Sequence, residues 1–299
     1  VQWSIPEPGP LISLIVLTRD RVSLLTDCVT GLMEGTDYKN IEIIIVDNGS
    51  EETSTLDYLD AIKQKPNVTV IREPSEYNFS RLNNIAIKHA KGDYIGLINN
   101  DISIIEPYWL HEMMGHILRE DVGIVGPKLL YANNTIQHAG VIVGLGGVAG
   151  HAFRHQPHHS RGYDDRLMLT QQLSCVTAAC LLTKKSIYNK VEGLNETSLK
   201  VAFNDVDYCL KVRELGYKVI WTPFATLYHL ESASRSSDLS KENIGRWNSE
   251  FSYMTGKWSQ VLEKDPFYNP NLTIADEDFS YSIPPRQHKP WEGYLQTKS

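Results

Sequence analysis

The sequence of 299 residues is 41% hydrophobic and 22% charged, long enough to bury one large core with an appendage on the same domain. A formal net charge of -7 supplies no overall basic field to meet phosphates, which excludes a nucleic-acid binder that relies on one. No apolar run approaches the roughly 20 residues of a bilayer span, and the opening is polar and proline-rich, unlike a signal peptide.

Residues 1–10 contain Pro6, Pro8 and Pro10 and are expected to form an extended lead-in. The chain starts at Val1 rather than Met, as expected of a domain cut from a longer protein. From Leu11 to Leu17 the sequence is a near-continuous apolar run, rich in β-branched residues, the pattern of a parallel strand buried on both faces. Thr18-Arg19-Asp20-Arg21 follows as a polar turn, and a helical pattern runs through Leu24, Leu25, Cys28, Val29 and Leu32. The unit then repeats. Ile41 to Val46 is a second buried strand, ending at Asp47-Asn48-Gly49-Ser50. A helix over Thr53 to Lys63, a strand over Val68 to Ile71 and a helix over Asn83 to Ala90 come next. A fourth strand, Tyr94 to Ile98, ends at Asn99-Asn100-Asp101. This alternation predicts βαβ units: an α/β fold with a mainly parallel central sheet flanked by helices. Ligands of such sheets bind beyond the carboxyl ends of the strands, where the three polar clusters fall.

The second half is less regular. Trp109 to Leu118 reads as a helix, Val122 to Leu130 as a strand and Asn133-Asn134 as a turn. A glycine-rich stretch from Gly140 to Gly150 leads into a loop with His151, His155, His158 and His159. Leu173 to Thr183 is mostly small and apolar. Asp205 to Leu215 reads as a helix, and Lys218 to Trp221 as a short strand before a Thr222-Pro223 turn. The tail from about Ser236 contains a helix near Arg246 to Leu262, then an aromatic, proline-rich strap. Cys28, Cys175, Cys180 and Cys209 have apolar neighbours and no CxxC spacing, as reduced core thiols do.

Several side chains suit chemistry, each with a structural alternative. Asp101, just past a buried strand, suits a hard divalent cation that neutralises a diphosphate, or else caps a turn. Asp47 suits a ribose hydroxyl or base N–H, though Asp-Asn-Gly is also a common turn. Asp205 and Asp207 open a helix, as dipole complements or with one of them as a general base. His229 suits a second metal ligand or a structural hydrogen bond. Asn78 precedes a helix, as its cap or as a diphosphate contact. The histidine loop lacks a zinc spacing and reads as a mobile loop closing over the diphosphate, with Arg154 as a phosphate contact. Gly144-Leu145-Gly146-Gly147 lacks the Gly-Lys-Ser/Thr of a P-loop.

Taken together, Thr18-Arg19-Asp20-Arg21, Asp47-Asn48-Gly49-Ser50, Asn84-Ile85-Ala86, Ala90-Lys91-Gly92-Asp93, Asn99-Asn100-Asp101, Asn204-Asp205-Val206-Asp207 and His229 resemble family 2 glycosyltransferases of the GT-A fold. Gln137-His138-Ala139-Gly140, Val176 to Leu181, His229 to Arg235 and Asp265 to Leu272 are similar to bacterial O-antigen and capsule transferases.

The resemblance implies an inverting transferase that moves a sugar from a UDP- or dTDP-linked donor to a saccharide or lipid-linked saccharide acceptor. It implies Thr18, Arg19, Asp47, Asn78, Asn99 and Asn100 at the nucleotide. Thr177, Asn204 and Arg154 fall near the sugars, and Asp101 and His229 on Mn²⁺ or Mg²⁺. Asp205 matches the catalytic base. Asn99 and Asn100 replace acidic residues common in the family, which leaves less negative charge around the ion. The expected organisation is a transferase domain over 1–235, with nucleotide and acceptor halves meeting near 103, and a helix and strap over 236–299. The expected setting is cytoplasmic, with at most peripheral contact at the inner face of the membrane, and with other domains of a larger synthase as partners. Two alternatives stand beside it: an inactive carbohydrate-binding scaffold, and a sugar nucleotidyltransferase, which would want glycines in the first loop.

Overall fold

The apolar runs of the first hundred residues become the parallel centre of a mixed sheet. β1 (Ile12–Thr18), β2 (Ile41–Asp47), β3 (Val68–Arg72) and β4 (Tyr94–Asn99) pair in parallel, in the spatial order β4-β1-β2-β3. The computed structural model describes residues 3–230 and 243–287. All of β2 is buried, because helices cover both faces. α1 (Val22–Met33), α2 (Thr53–Ile62) and α4 (Trp109–Ile117) pack on one face. α3 (Phe79–His89), α5 (Lys185–Lys190), α6 (Asn204–Glu214) and α7 (Ile244–Glu263) pack on the other. Strand residues alternate between the two cores: Ile43 and Ile45 meet the first set of helices, Ile44 and Val46 the second.

The sheet continues through the second half. β5 (Ile102–Ile104), β6 (Val122–Leu130), β7 (Ile136–His138), β8 (Val141–Val143), β9 (Ala149–His151), β10 (Gln171–Leu173), β11 (Cys180–Lys184) and β12 (Lys218–His229) complete the strands. The order is β10-β12-β6-β11-β4-β1-β2-β3, with β5 added to β12 and β7 to β6. β11 runs antiparallel between β4 and β6, and β8 and β9 form a separate hairpin. All four cysteines are buried and free.

Three of the differences from the sequence reading bear on the site. α3 starts at Phe79, one turn earlier than expected, because the Asn78 side chain accepts the Arg81 N–H at 2.9 Å and caps the helix. β3 extends to Arg72. The short strand expected over Lys218 to Trp221 does not stop at Pro223. It slips register between Thr222 and Thr226 and runs on to His229, since a bulge relieves the missing proline N–H.

α7 buries Met254, Trp258 and Leu262 against the body. Each such side chain contributes about 1.5–3 kcal/mol, more than the roughly 1 kcal/mol of a typical hydrogen bond. Packing therefore holds the helix, and its polar contacts set its orientation. Glu250, 2% exposed, accepts the Val201 and Ala202 N–H groups at 2.8 and 3.2 Å and pairs with Arg246. Beyond the helix, Asp265 accepts from Val143 N–H and Ser174 Oγ at 2.9 and 2.6 Å, tying the strap to the same body. The expected boundary at 235/236 and most of the stretch His229 to Arg235 lie outside the described residues.

Candidate active site

The carboxyl ends of β1, β2 and β4 bring three loops together. Asp47 closes the second loop on itself: Ser50 N–H donates to one carboxylate oxygen at 2.8 Å, and Arg72 Nη1 to the other at 2.7 Å. The same guanidinium reaches Ser50 O at 3.0 Å. The first loop joins the second through Asp20, whose backbone N–H donates to Ser50 Oγ at 2.7 Å. Its carboxylate accepts the Glu51 and Glu52 N–H groups at 2.8 and 2.9 Å. The Glu52 hydrogen bond, above all, holds the Asp20 carboxyl below its ordinary range. Asp20 and Arg21 both adopt positive φ, 55° and 59°, a strain these cross-loop bonds offset. The first and third loops meet where Asn100 Nδ2 donates to Thr18 Oγ1 at 3.2 Å.

The third loop also meets the end of β12. β5 pairs antiparallel with that strand, setting Ile102 opposite His229. Asp101, the residue before Ile102, thereby reaches the imidazole: Oδ1 lies 3.1 Å from His229 Nε2. Leu230 N–H donates to Asp101 O at 2.9 Å and locks the pairing. Asn99 Nδ2 lies 3.3 Å from the same ring nitrogen. On the far side of the ring, Gln137 Nε2 lies 2.7 Å from Nδ1. Asp101 and His229 are each 7% exposed.

This donor set fits a divalent cation. Two cis ligands on an octahedral ion with bonds near 2.1 Å stand about 3 Å apart, close to the 3.1 Å between Asp101 Oδ1 and His229 Nε2. Among the described residues no group of three or more His, Cys, Asp or Glu could hold a metal. An ion on this pair would therefore take its other ligands from water and a diphosphate. Nearby, burial holds His138 well below the usual imidazole range, so it stays neutral and adds no repulsion to a cation.

Asp205 sits in the first turn of α6. Its carboxylate accepts Val206 N–H at 2.9 Å and, across the gap, Ala178 N–H at 3.1 Å. The next residue, Ala179, accepts the Asn99 N–H through its carbonyl at 2.9 Å. The loop at 174–179 therefore connects Asp205 to the Asn99-Asn100-Asp101 cluster. Thr177 accepts Ala179 N–H at 3.3 Å and shapes the loop that faces Asp205, while Asn204 Nδ2 donates to Val201 O at 2.7 Å and shapes the turn that carries it. Asp207, fully buried, instead accepts Lys257 and Trp258 from α7 at 2.8 and 2.9 Å. Of the two acidic residues in this turn it has the structural role.

Other candidates lie elsewhere. Arg154 pairs with Glu277 of the strap at 3.1 Å. Its loop is pinned down, with His155 N–H donating to Ile136 O at 2.8 Å and Lys128 Nζ to His158 O at 2.7 Å. Arg19 makes only a loose, exposed contact with Glu51 at 4.0 Å. Asn78 is occupied as a cap and by Glu196 O at 2.9 Å. Sequence reasoning missed Arg72 and Glu250, and gave Gln137 no role. It also missed the half-buried aromatic group Phe203, Trp247 and Phe251 beside the start of α6, in which Trp247 and Phe251 stack at 5.0 Å.

The sequence model described as Glycosyl transferase family 2 matches residues 13–191. The uncharacterized protein y4gI of Sinorhizobium fredii is 46% identical over 93% of this chain and 31% of its own length. The O-antigen biosynthesis protein RfbC of Myxococcus xanthus is 34% identical over 90% of this chain and 21% of its own. The chain thus spans a third or less of either relative. Two solved structures share its fold at 14% identity. One is the mannosyltransferase PcManGT from Pyrobaculum calidifontis in complex with GDP-Man and Mn²⁺, with a TM-score of 0.61 over 88% of this chain and 73% of that one. The other is GalNAc-T7 with UDP, GalNAc and Mn²⁺, with a TM-score of 0.68 over 96% and 57%.

Proposed function

This chain belongs to glycosyl transferase family 2 and has the GT-A fold; on that premise we propose that it transfers a sugar, with inversion, from a nucleotide-diphosphate sugar to a saccharide hydroxyl in surface-polysaccharide synthesis. The observation that carries the reading is the pair Asp101 and His229, 3.1 Å apart, joined through the loop at 174–179 to Asp205. Two of the neighbours of known structure were solved with Mn²⁺ and a nucleotide or nucleotide sugar, and RfbC is an O-antigen biosynthesis protein. Among the described residues no helix is long and apolar enough to cross a membrane.

In this reading Asp47, with Arg72, receives the base or ribose, and Thr18, Asn99 and Asn100 line the diphosphate. Asp101 and His229 would hold a divalent ion, which supplies positive charge to the departing diphosphate. An imidazole ligand favours Mn²⁺ over Mg²⁺. Asp205 is the base. Its two backbone donors fix the direction of the carboxylate, and its oxygens retain lone pairs to accept the proton of the acceptor hydroxyl. The hydroxyl oxygen bonds to C1 on one face as the C1–O bond to the diphosphate breaks on the other. The half-buried ring of Trp247, 6.1 Å from that of Phe203 at the start of α6, offers an apolar face to an acceptor sugar.

The direct test is release of nucleoside diphosphate from a panel of UDP-, dTDP- and GDP-sugars with saccharide acceptors, with and without Mn²⁺. Acceptor-dependent release that needs metal is expected. Metal-independent release at the same rate, or none with any donor, would overturn the reading.

A further inference from the structure

We propose that Gln137 is a positioning residue that sets which ring nitrogen of His229 carries the proton, and so makes His229 competent to bind the ion. The inference rests on the metal reading above. β7 lies against the end of β6, where Leu129 and Leu130 pair with His138 and Ile136. The last residues of β12 pair with those same two residues of β6. Gln137 thus meets His229 within the sheet, both residues 7% exposed, with 2.7 Å between the amide nitrogen and Nδ1.

A neutral imidazole carries one proton. If it sits on Nε2, it is donated to Asp101, and that nitrogen has no lone pair for a cation. If it sits on Nδ1, Nε2 is free to ligate, but a buried N–H then needs an acceptor. Gln137 is the side chain facing Nδ1. The two ends of its amide have nearly the same shape, so a half-turn about the last side-chain bond replaces the donating NH₂ with an accepting Oε1. In one orientation it supports the Asp101–His229 hydrogen bond that holds the two ligands 3.1 Å apart. In the other it accepts the Nδ1 proton while Nε2 faces the ion. Glutamate serves only the second arrangement, and leucine neither. Gln137-His138-Ala139-Gly140 stood out in the sequence without a chemical reason; this contact supplies one for its first residue.

The test is Mn²⁺ binding, read from the loss of the free-ion electron paramagnetic resonance signal in the presence of UDP. Wild type, Gln137→Glu and Gln137→Leu are compared, with thermal melts to check folding. The expected result is Gln137→Glu close to wild type and Gln137→Leu weaker by about 10- to 100-fold. Gln137→Leu binding as tightly as wild type, or Gln137→Glu falling with it, would overturn the inference alone. No UDP-dependent Mn²⁺ binding by wild type would overturn the metal reading itself, and the inference with it. Should Gln137→Leu not fold, the ¹⁵N spectrum of histidine-labelled wild type with Mg²⁺ and UDP decides the matter, with His229 assigned from His229→Ala. A protonated Nδ1 supports the proposal, and a protonated Nε2 overturns it.

Discussion

Arg72 sets its guanidinium on the Asp47 carboxylate at 2.7 Å, with half of the Arg72 side chain exposed and only 1% of that of Asp47. A carboxylate so buried depends on its partners. Arg72→Leu leaves one oxygen without its charged donor, at a cost of about 1–3 kcal/mol. Thermal denaturation should show that loss, and calorimetric titration should show weaker UDP binding. Arg72→Lys should recover little of either, since one ammonium cannot span both Asp47 and Ser50 O as the fork does. A folded Arg72→Leu protein with unchanged UDP affinity would remove Asp47 from the nucleotide site.

Asp205→Asn exchanges one accepting oxygen for an NH₂ that faces a backbone N–H. The lost hydrogen bond costs about 1 kcal/mol, so the variant should fold and bind UDP normally. Turnover should fall by about 10²–10⁴, the usual contribution of a general base. Turnover near wild type would assign the proton transfer to another group.

Chelation should abolish transfer, and Mn²⁺ should restore it better than Mg²⁺. Asp101→Asn and His229→Ala should each remove most Mn²⁺ affinity, and the double variant little more, because the two act as one site. Mn²⁺ affinity that survives both single substitutions in folded protein would mean that the 3.1 Å pair is a structural hydrogen bond and not a ligand set.

Glu250 accepts two N–H groups just before Phe203, whose φ of 59° is strained for a side chain of that size. Glu250→Ala frees that turn and leaves buried donors unsatisfied. A loss of about 2 kcal/mol is expected, together with a fall in kcat greater than any rise in the donor KM, since the turn leads directly into Asp205. A stable Glu250→Ala protein with unchanged kcat would confine Glu250 to packing.

The strand–loop–helix alternation was legible because parallel strands buried on both faces are near-continuous apolar runs, broken in β1 and β2 only by Ser13 and Glu42 before the terminal Thr18 and Asp47. Asp101 and His229 were legible as candidates from position and residue type. Their contact was not, since it depends on β5 turning back along β12. Pro223 misled the reading of β12, because a proline normally ends a strand and only tertiary pairing reveals a bulge. Arg72 carries no local signal, and Gln137 only that of the stretch it opens, with no role attached. Each matters through a partner distant in sequence, Asp47 for one and His229 for the other. Asn78 shows the reverse case, a polar residue held by a local contact, the Arg81 N–H that it caps.

The register slip in β12 has a consequence for how this protein can vary. Pro223, Phe224 and Ala225 intervene between Thr222, paired with Pro127, and Thr226, paired with Lys128. They work as an expansion joint. Upstream, the strand answers to β10 and the first part of β6; downstream, it answers to β5 and the last residues of β6. Residues gained or lost at the outer edge of the sheet can be taken up at the joint while His229 keeps its place opposite Ile102. Redesign of that edge is therefore separable from the ion-binding chemistry, whereas even a one-residue change downstream of Thr226 would turn the imidazole to the other face of the strand.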